Sequence, residues 1–445
     1  MTFRDDFLQG GQLGQFFHFG PYAALGRGEQ ALWRERLDQT TYRRQARAWR
    51  PQKLDVGSWC DHAVAMGADY AVLTTRHHDA YCLWPTAEHD YHSQACFDRD
   101  IVDEFVTACR QRGLRVGLYY SLADWTCPAY FSGPETDQSG FNTFIEGIFQ
   151  QVRELLTNYG TIDIIWFDAC TPHDSDRWRS HALVQMIRGL QPGILINSRL
   201  GTDIPSGPPQ LQEHIDGGCG PGDSDHWGDF SVGEGRILSQ MNRPWETCAT
   251  STRARWGYSA GEAWRTPHEI IEECLKVLTT GGNYMLNVGP DGDGCIPPEY
   301  TALMDIMGPW LRSHRAHLHR ARPWEDMTFV NRGWLYHASE KLLVVLRSWD
   351  GSGSLQMTDF DVPPLKARLL GLDCSLTVTV SGAQGERCLI EGLPHERPTP
   401  LFPTIELTFA ASPQATPITA RRNWSKERGN WLPFTTWAAE GLSDE

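Results

Sequence analysis

Short apolar runs that each end in a polar or charged group recur along the chain, and most follow a helical pattern. The plainest is Ile162-Asp163-Ile164-Ile165-Trp166-Phe167-Asp168. Aromatic and β-branched residues without alternation read as a strand buried on both faces. Ahead of it Phe141, Phe144, Ile145, Ile148, Val152, Leu155, Leu156 and Tyr159 fall at helical spacing, and Gly160 closes that helix. A carboxylate at the end of a core strand is costly unless it is paired or used. In parallel α/β barrels that end of the strand is where chemistry sits. One such strand leaves a second reading open, a buried Asp that ties down a loop. Recurrence weighs against it.

The same design appears at Gln15 to Gly20, which carries His18, and at Asp69 to Thr75, which runs into Arg76-His77-His78-Asp79. It appears again at Leu114 to Ser121 and at Gly193 to Arg199. Pro244 to Thr250 and Asn283 to Val288 complete the series, with a helix opened by Thr266-Pro267-His268-Glu269 between them. Seven or eight β-then-α units predict an α/β fold, a (β/α)8-like barrel over residues 1–324. Leu200 to Arg243 loses periodicity and is rich in Gly, Pro and Asp, which reads as a long functional loop. Past Trp324 short strands with turns between them predict a C-terminal β-sandwich over 325–410. The tail, 411–445, shows no pattern.

Charge narrows the partners. The net charge is −15, and the Arg34 to Arg50 arginines alternate with apolar residues like a solvated helix face, so neither nucleic acid nor an anionic membrane is expected. No apolar run reaches the roughly eighteen residues of a membrane span. Met1 to Gly10 has no apolar h-region, and the 12 Cys include no C-x-x-C pair, which together predict free thiols in a cytoplasmic protein. Trp is abundant, at 18 copies, and flat aromatic faces suit sugar rings as well as large cores.

The strand ends would present His18, His77, His78, Tyr120, Asp168 and Arg199 to one face of the barrel. Three His beside an Asp could hold zinc. Adjacent residues on a strand point to opposite faces, however, so His77 and His78 would converge only through a loop. Hydrogen bonding to the hydroxyls of a polar substrate is the better use of the cluster, and no metal is expected.

Eight runs in order resemble the α-L-fucosidases of glycoside hydrolase family 29. They are Gly14 to Tyr22, Leu73 to Asp79, Gly117 to Ser121, Trp166-Phe167-Asp168, Asn197-Ser198-Arg199, Trp245-Glu246-Thr247, Trp256-Gly257-Tyr258 and Gly281 to Pro290. The resemblance implies a retaining exo-glycosidase that needs no cofactor and removes terminal fucose from an oligosaccharide or glycoconjugate. It implies Asp168 as nucleophile, sugar contacts from His18, Glu29, His77, His78 and Arg199, and Trp256 as a wall beside the sugar's methyl group. For the acid/base, Glu213, Glu234 and Glu246 compete. Glu246 lies near the start of its strand and reads as structural. Glu234 closes Gly228-Asp229-Phe230-Ser231-Val232-Gly233-Glu234, which resembles the family's pattern, and it is expected on a loop able to swing over the leaving group. The chain departs from the family where Gly28-Glu29-Gln30 replaces Gly-Glu-Trp, with Trp33 three residues later. A non-catalytic sugar-binding protein and a retaining glycosidase for α-L-galactosides are the alternatives, the latter because an apolar wall rejects an added hydroxyl poorly.

Overall fold

A computed structural model describes residues 2–201, 227–239, 242–319, 321–324, 333–358, 360–372, 374–381, 387–414, 424–425 and 430–431. Glu213 lies outside the described residues. The chain divides into two compact units, Met1–Arg312 and Ser313–Glu445. The division precedes the expected one at Trp324 and falls within the helix Pro298–Leu318, and Arg322–Pro323 pairs with the C-terminal sheet.

The first unit is a barrel of eight parallel strands: β1 (Leu13–Phe17), β2 (Tyr70–Arg76), β3 (Arg115–Ser121), β4 (Ile164–Asp168), β5 (Leu195–Ile196), β6 (Ser231–Glu234), β7 (Trp245–Thr250) and β8 (Asn283–Val288). Their order runs β5-β4-β3-β2-β1-β8-β7-β6, and a parallel bridge from Asn197 to Phe230 closes the ring. Helices α1 (Val56–Met66), α2 (Ile101–Gln111), α3 (Gln138–Thr157), α4 (Ser180–Leu190) and α5 (Pro267–Thr279) are in each case followed by a barrel strand. Caps set their ends. Thr266 and Glu269 form the expected capping box on α5, and Gly67 ends α1 in a left-handed conformation. The strand missing from the sequence reading is β6. It is four residues long and contains Gly233, too short and too weakly apolar to stand out from the loop around it.

Alternation decides what points inward. Phe16, Tyr70, Val72, Tyr119, Ile164, Trp166, Leu195, Phe230, Val232, Cys248 and Met285 form one buried cluster that fills the barrel. Large rings need small neighbours. A Cβ on Gly14 would lie 2.2 Å from the Tyr70 ring, so that glycine is the space the tyrosine occupies. The helix Phe3–Gln9 contributes Phe7 to the same cluster, packed on Tyr70 and Phe230. Inward positions near the carboxyl ends of the strands are polar instead, and the site is built there.

The second unit is antiparallel. Its strands are β9 (Arg322–Pro323), β10 (Gly333–Ala338), β11 (Lys341–Leu346), β12 (Ser354–Thr358), β13 (Pro364–Leu369), β14 (Ser375–Ser381), β15 (Arg387–Glu391) and β16 (Thr404–Phe409), in the order β12-β15-β14-β13-β16-β11-β10-β9. Alternate residues of β11, β12, β15 and β16 meet in one core (Leu342, Val344, Leu355, Met357, Ile390, Leu407), which makes the unit a sandwich. In the tail, Trp424–Ser425 and Asn430–Trp431 pair as a short antiparallel ladder. Among the described residues no helix is long and apolar enough to cross a membrane. Among the described residues ten cysteines are free thiols, but Cys170 is disulfide-bonded, which corrects the expectation of thiols throughout.

Candidate active site

Asp168 is the last residue of β4 and faces into the barrel mouth, at the level of Ser121 on β3. Its Oδ1 accepts a hydrogen bond from Arg199 Nη1 at 2.6 Å, and its Oδ2 accepts one from the Tyr119 hydroxyl at 2.8 Å. His78 Nε2 lies 3.8 Å from the same Oδ2. Burial alone would push this carboxyl up. Arg199, then His78, the Tyr119 hydroxyl and a backbone amide outweigh it and hold Asp168 below the usual carboxylate range. The group is therefore a carboxylate at neutral pH. That is the form a nucleophile needs.

Arg199 is itself 0 % exposed. Its guanidinium lies 5.0 Å over the Trp166 ring, a cation–π contact that gives the charge a floor inside the barrel. The chain reaches it through Asn197, whose side-chain amide both donates to Phe167 O and accepts from Phe167 N. That pair of bonds continues the β4–β5 ladder beyond the two-residue strand. It fixes where the Asn197-Ser198-Arg199 segment leaves the sheet.

The same Arg199 Nη1 lies 2.6 Å from Glu234 Oε1. Two carboxylate oxygens that share one nitrogen at that distance cannot be farther apart than twice it. That ceiling is short of the roughly 6.5–9.5 Å of an inverting glycosidase pair and leaves only the close spacing of a retaining one. Glu234 is the terminal residue of β6, paired in register with Cys248, rather than a member of a swinging loop. The expected loop position is thus corrected: a rigid strand end presents this carboxyl.

Glu246 lies deeper. It is 0 % exposed, and its two oxygens accept from the Tyr70 hydroxyl and, at 2.9 Å, from Trp166 Nε1. Burial pushes its carboxyl up to about 7, a value that would suit an acid/base. Geometry decides otherwise. Both oxygens are occupied beneath the Trp166 floor, so the shift records a buried structural carboxyl.

His18, His77 and His78 do converge. Ring centroids are 5.7 Å apart for His18 and His77 and 3.9 Å for His77 and His78, because the chain leaves β2 at Arg76 and enters a turn. His18 Nδ1 sits 2.6 Å from Asn287 Oδ1, and Asn287 Nδ2 donates to Trp256 O. The asparagine oxygen therefore accepts, His18 Nδ1 carries the proton, and Nε2 remains an acceptor. Burial lowers all three imidazoles, His18 to about 3 and His78 to about 4, so they are neutral hydrogen-bonding groups at pH 7. His77 Nδ1 is buried without a hydrogen-bond partner. Among the described residues no three His, Cys, Asp or Glu side chains are grouped to hold a metal ion.

The expected sugar contact Tyr120 takes another position. Tyr120 points out of the barrel. Its hydroxyl donates to Gln151 on α3, while Tyr119, one residue earlier, points in and reaches Asp168. The period of two, read together with the Tyr119–Trp166 register, was the signal that separates them. Glu29 is buried, and its Oε2 accepts from the backbone amides of Trp256 and Gly257 at 3.1 and 2.8 Å. It anchors the Trp256 segment against the site. Trp256 itself is half-buried, with its ring 5.3 Å from His18 and 6.2 Å from Phe16. Ser121 and Asn287, which orient His78 and His18, were not singled out from sequence.

Comparison with known proteins gives one consistent result. Residues 5–316 match the family model for α-L-fucosidase. Tissue α-L-fucosidase of Mus musculus is 27% identical over 359 residues, covering 77% of this chain and 74% of that protein. The structure resembles α-L-fucosidase isoenzyme 1 from Paenibacillus thiaminolyticus, with a TM-score of 0.77, 28% identity, and coverage of 92% of this chain and 99% of that one. It also resembles a family 29 α-L-fucosidase of Bacteroides thetaiotaomicron solved as a trapped covalent intermediate with 2-fluoro-fucosyl fluoride. There the TM-score is 0.75 and the identity 25%, over 92% of this chain and 97% of that one.

Proposed function

The chain belongs to the α-L-fucosidase family, and from that premise we infer the chemistry of its site. It is a retaining glycosidase that releases terminal α-L-fucosyl residues by double displacement. The observation that carries the assignment of roles is the sharing of Arg199 Nη1 by Asp168 and Glu234.

In the first step Asp168 Oδ attacks the anomeric carbon from the face opposite the leaving oxygen. The C1–O bond breaks, and Glu234 supplies the proton that leaves with the aglycone. Attack consumes the charge on Asp168, and Arg199 then faces the Glu234 carboxylate alone. In the second step that carboxylate takes a proton from water, the hydroxide attacks C1, and Asp168 departs as a carboxylate. The product keeps the configuration of the substrate. Asp168 has two donors within hydrogen-bond distance to hold its charge before attack, Arg199 and Tyr119, and this supports the nucleophile's role over Glu234's.

His18 Nε2 and His77 are suited to accept from or donate to sugar hydroxyls, and the half-buried face of Trp256 suits the apolar edge of a 6-deoxy sugar. The substrates that fit are fucosylated oligosaccharides and glycoconjugates. The test follows hydrolysis of an aryl α-L-fucoside by NMR. The first-formed fucose is expected as the α-anomer, and β-fucose would overturn the retaining mechanism.

A further inference from the structure

Aromatic rings continue outward from the pocket beyond any group the reaction uses. The Trp125 ring lies 4.7 Å from His78, and its backbone amide donates to His78 O at 2.8 Å. Trp33 follows at 5.8 Å from Trp125, and Phe131 lies 5.5 Å from Trp33 with ring planes only 10° apart. Exposure grows along the series: Trp125 is buried, whereas Trp33 and Phe131 are half-buried.

Core packing does not explain this pattern. Trp33 and Phe131 sit on one-turn helices, Ala31–Arg34 and Pro128–Ser132, which bury Ala31 and Leu32 in the first and Ala129 and Tyr130 in the second. Ala31, Leu32, Ala129 and Tyr130 are 2–7 % exposed, yet the large ring of each turn is the one left partly in solvent. That reverses what burial of apolar area alone would select. The ledge is also held rigidly to the catalytic strand. The Tyr130 hydroxyl donates to Thr171 O, three residues past Asp168, and Gln39 Nε2 donates to Trp125 O.

We propose that Trp33 and Phe131 form the seat for the sugar to which the fucose is attached, receiving the apolar C–H face of that pyranose. The proposal rests on the fucosidase reading of the neighbouring pocket. A pyranose presents its axial hydrogens as a flat apolar face, and two near-parallel rings offer a complementary one. Because the rings are fixed before substrate arrives, little side-chain freedom is lost on binding. An offset stack leaves part of each ring face uncovered for that contact.

The test compares two substrates that share the fucosyl group, α-L-fucosyl fluoride, which has no aglycone sugar, and a fucosylated trisaccharide. Trp33→Ala and Phe131→Ala are expected to lower kcat/KM for the trisaccharide about tenfold and to leave the fluoride within about twofold. Trp33→Phe should recover most of the loss. Equal losses on both substrates would place Trp33 in the fucose pocket and overturn the proposal, and so would unchanged rates on both. Wild-type protein inert toward the fluoride would instead overturn the fucosidase reading beneath it.

Discussion

Arg199→Met replaces the cation that Asp168 and Glu234 share with an uncharged chain of similar length. At an effective dielectric of about 20, a contact of this length is worth on the order of 6 kcal/mol before desolvation is counted. Breaking one partner of a buried pair typically costs about 3–5 kcal/mol net. The variant also leaves two carboxylates facing each other at no more than about 5 Å, a repulsion of at least about 3 kcal/mol on the same scale. Both effects push one carboxyl to take up a proton. Asp168 loses the partner that does most to hold it ionised against burial. The variant should therefore lose about 100- to 5,000-fold in kcat/KM, and the acid limb of its pH profile should move to higher pH.

Stability gives an independent reading with a definite sign. A carboxyl whose folded pKa is lowered contributes stability that is present above its unfolded value and is lost as pH falls through the folded value. The melting temperature of Arg199→Met should thus lie below wild type at neutral pH, and the gap should close as pH drops below the usual carboxylate range. Stopped assays across pH and thermal melts of both proteins measure this. A loss under tenfold with an unmoved acid limb would refute the electrostatic role of Arg199.

Tyr119→Phe should lower kcat/KM about tenfold, since a buried carboxylate oxygen loses its donor, whereas Tyr120→Phe should leave kcat/KM within about twofold and lower only the melting temperature. The reverse order would restore Tyr120 to the site. Glu234→Ala should slow natural oligosaccharides far more than an activated aryl fucoside, because only the poor leaving group needs the proton; equal slowing would remove Glu234 from the acid/base role. Glu246, raised to about 7 by burial, has the opposite stability sign to Asp168. Its contribution falls as pH rises from about 4.5 to about 7, worth on the order of 3 kcal/mol, and Glu246→Gln should flatten that slope in denaturant titrations at successive pH values.

The barrel was legible because each long strand announces itself by composition and each helix by spacing and caps. Asp168, Arg199 and the three His residues were legible for a related reason, since polar groups at the ends of apolar runs stand out. What stayed hidden depends on which way a side chain points and on contacts distant in sequence. Tyr119 and Tyr120 are equivalent in composition, and only the register with Trp166 separates them. β6 was hidden by its length, so Glu234, which ends that strand, was placed on a loop. Glu29 is named in sequence only as a sugar contact, and its bond to a backbone amide 228 residues away could not be read there. The disulfide at Cys170 has no local signature at all.

In the double displacement Asp168 is expected to form a covalent bond to fucose. The direct measurement is intact mass of the protein after incubation with 2-deoxy-2-fluoro-α-L-fucosyl fluoride, followed by peptide mapping. The expected result is one added fluorofucosyl group located on Asp168, and its absence from Asp168→Gly protein. A label on another residue, or no label while the substrate is turned over, would contradict the account.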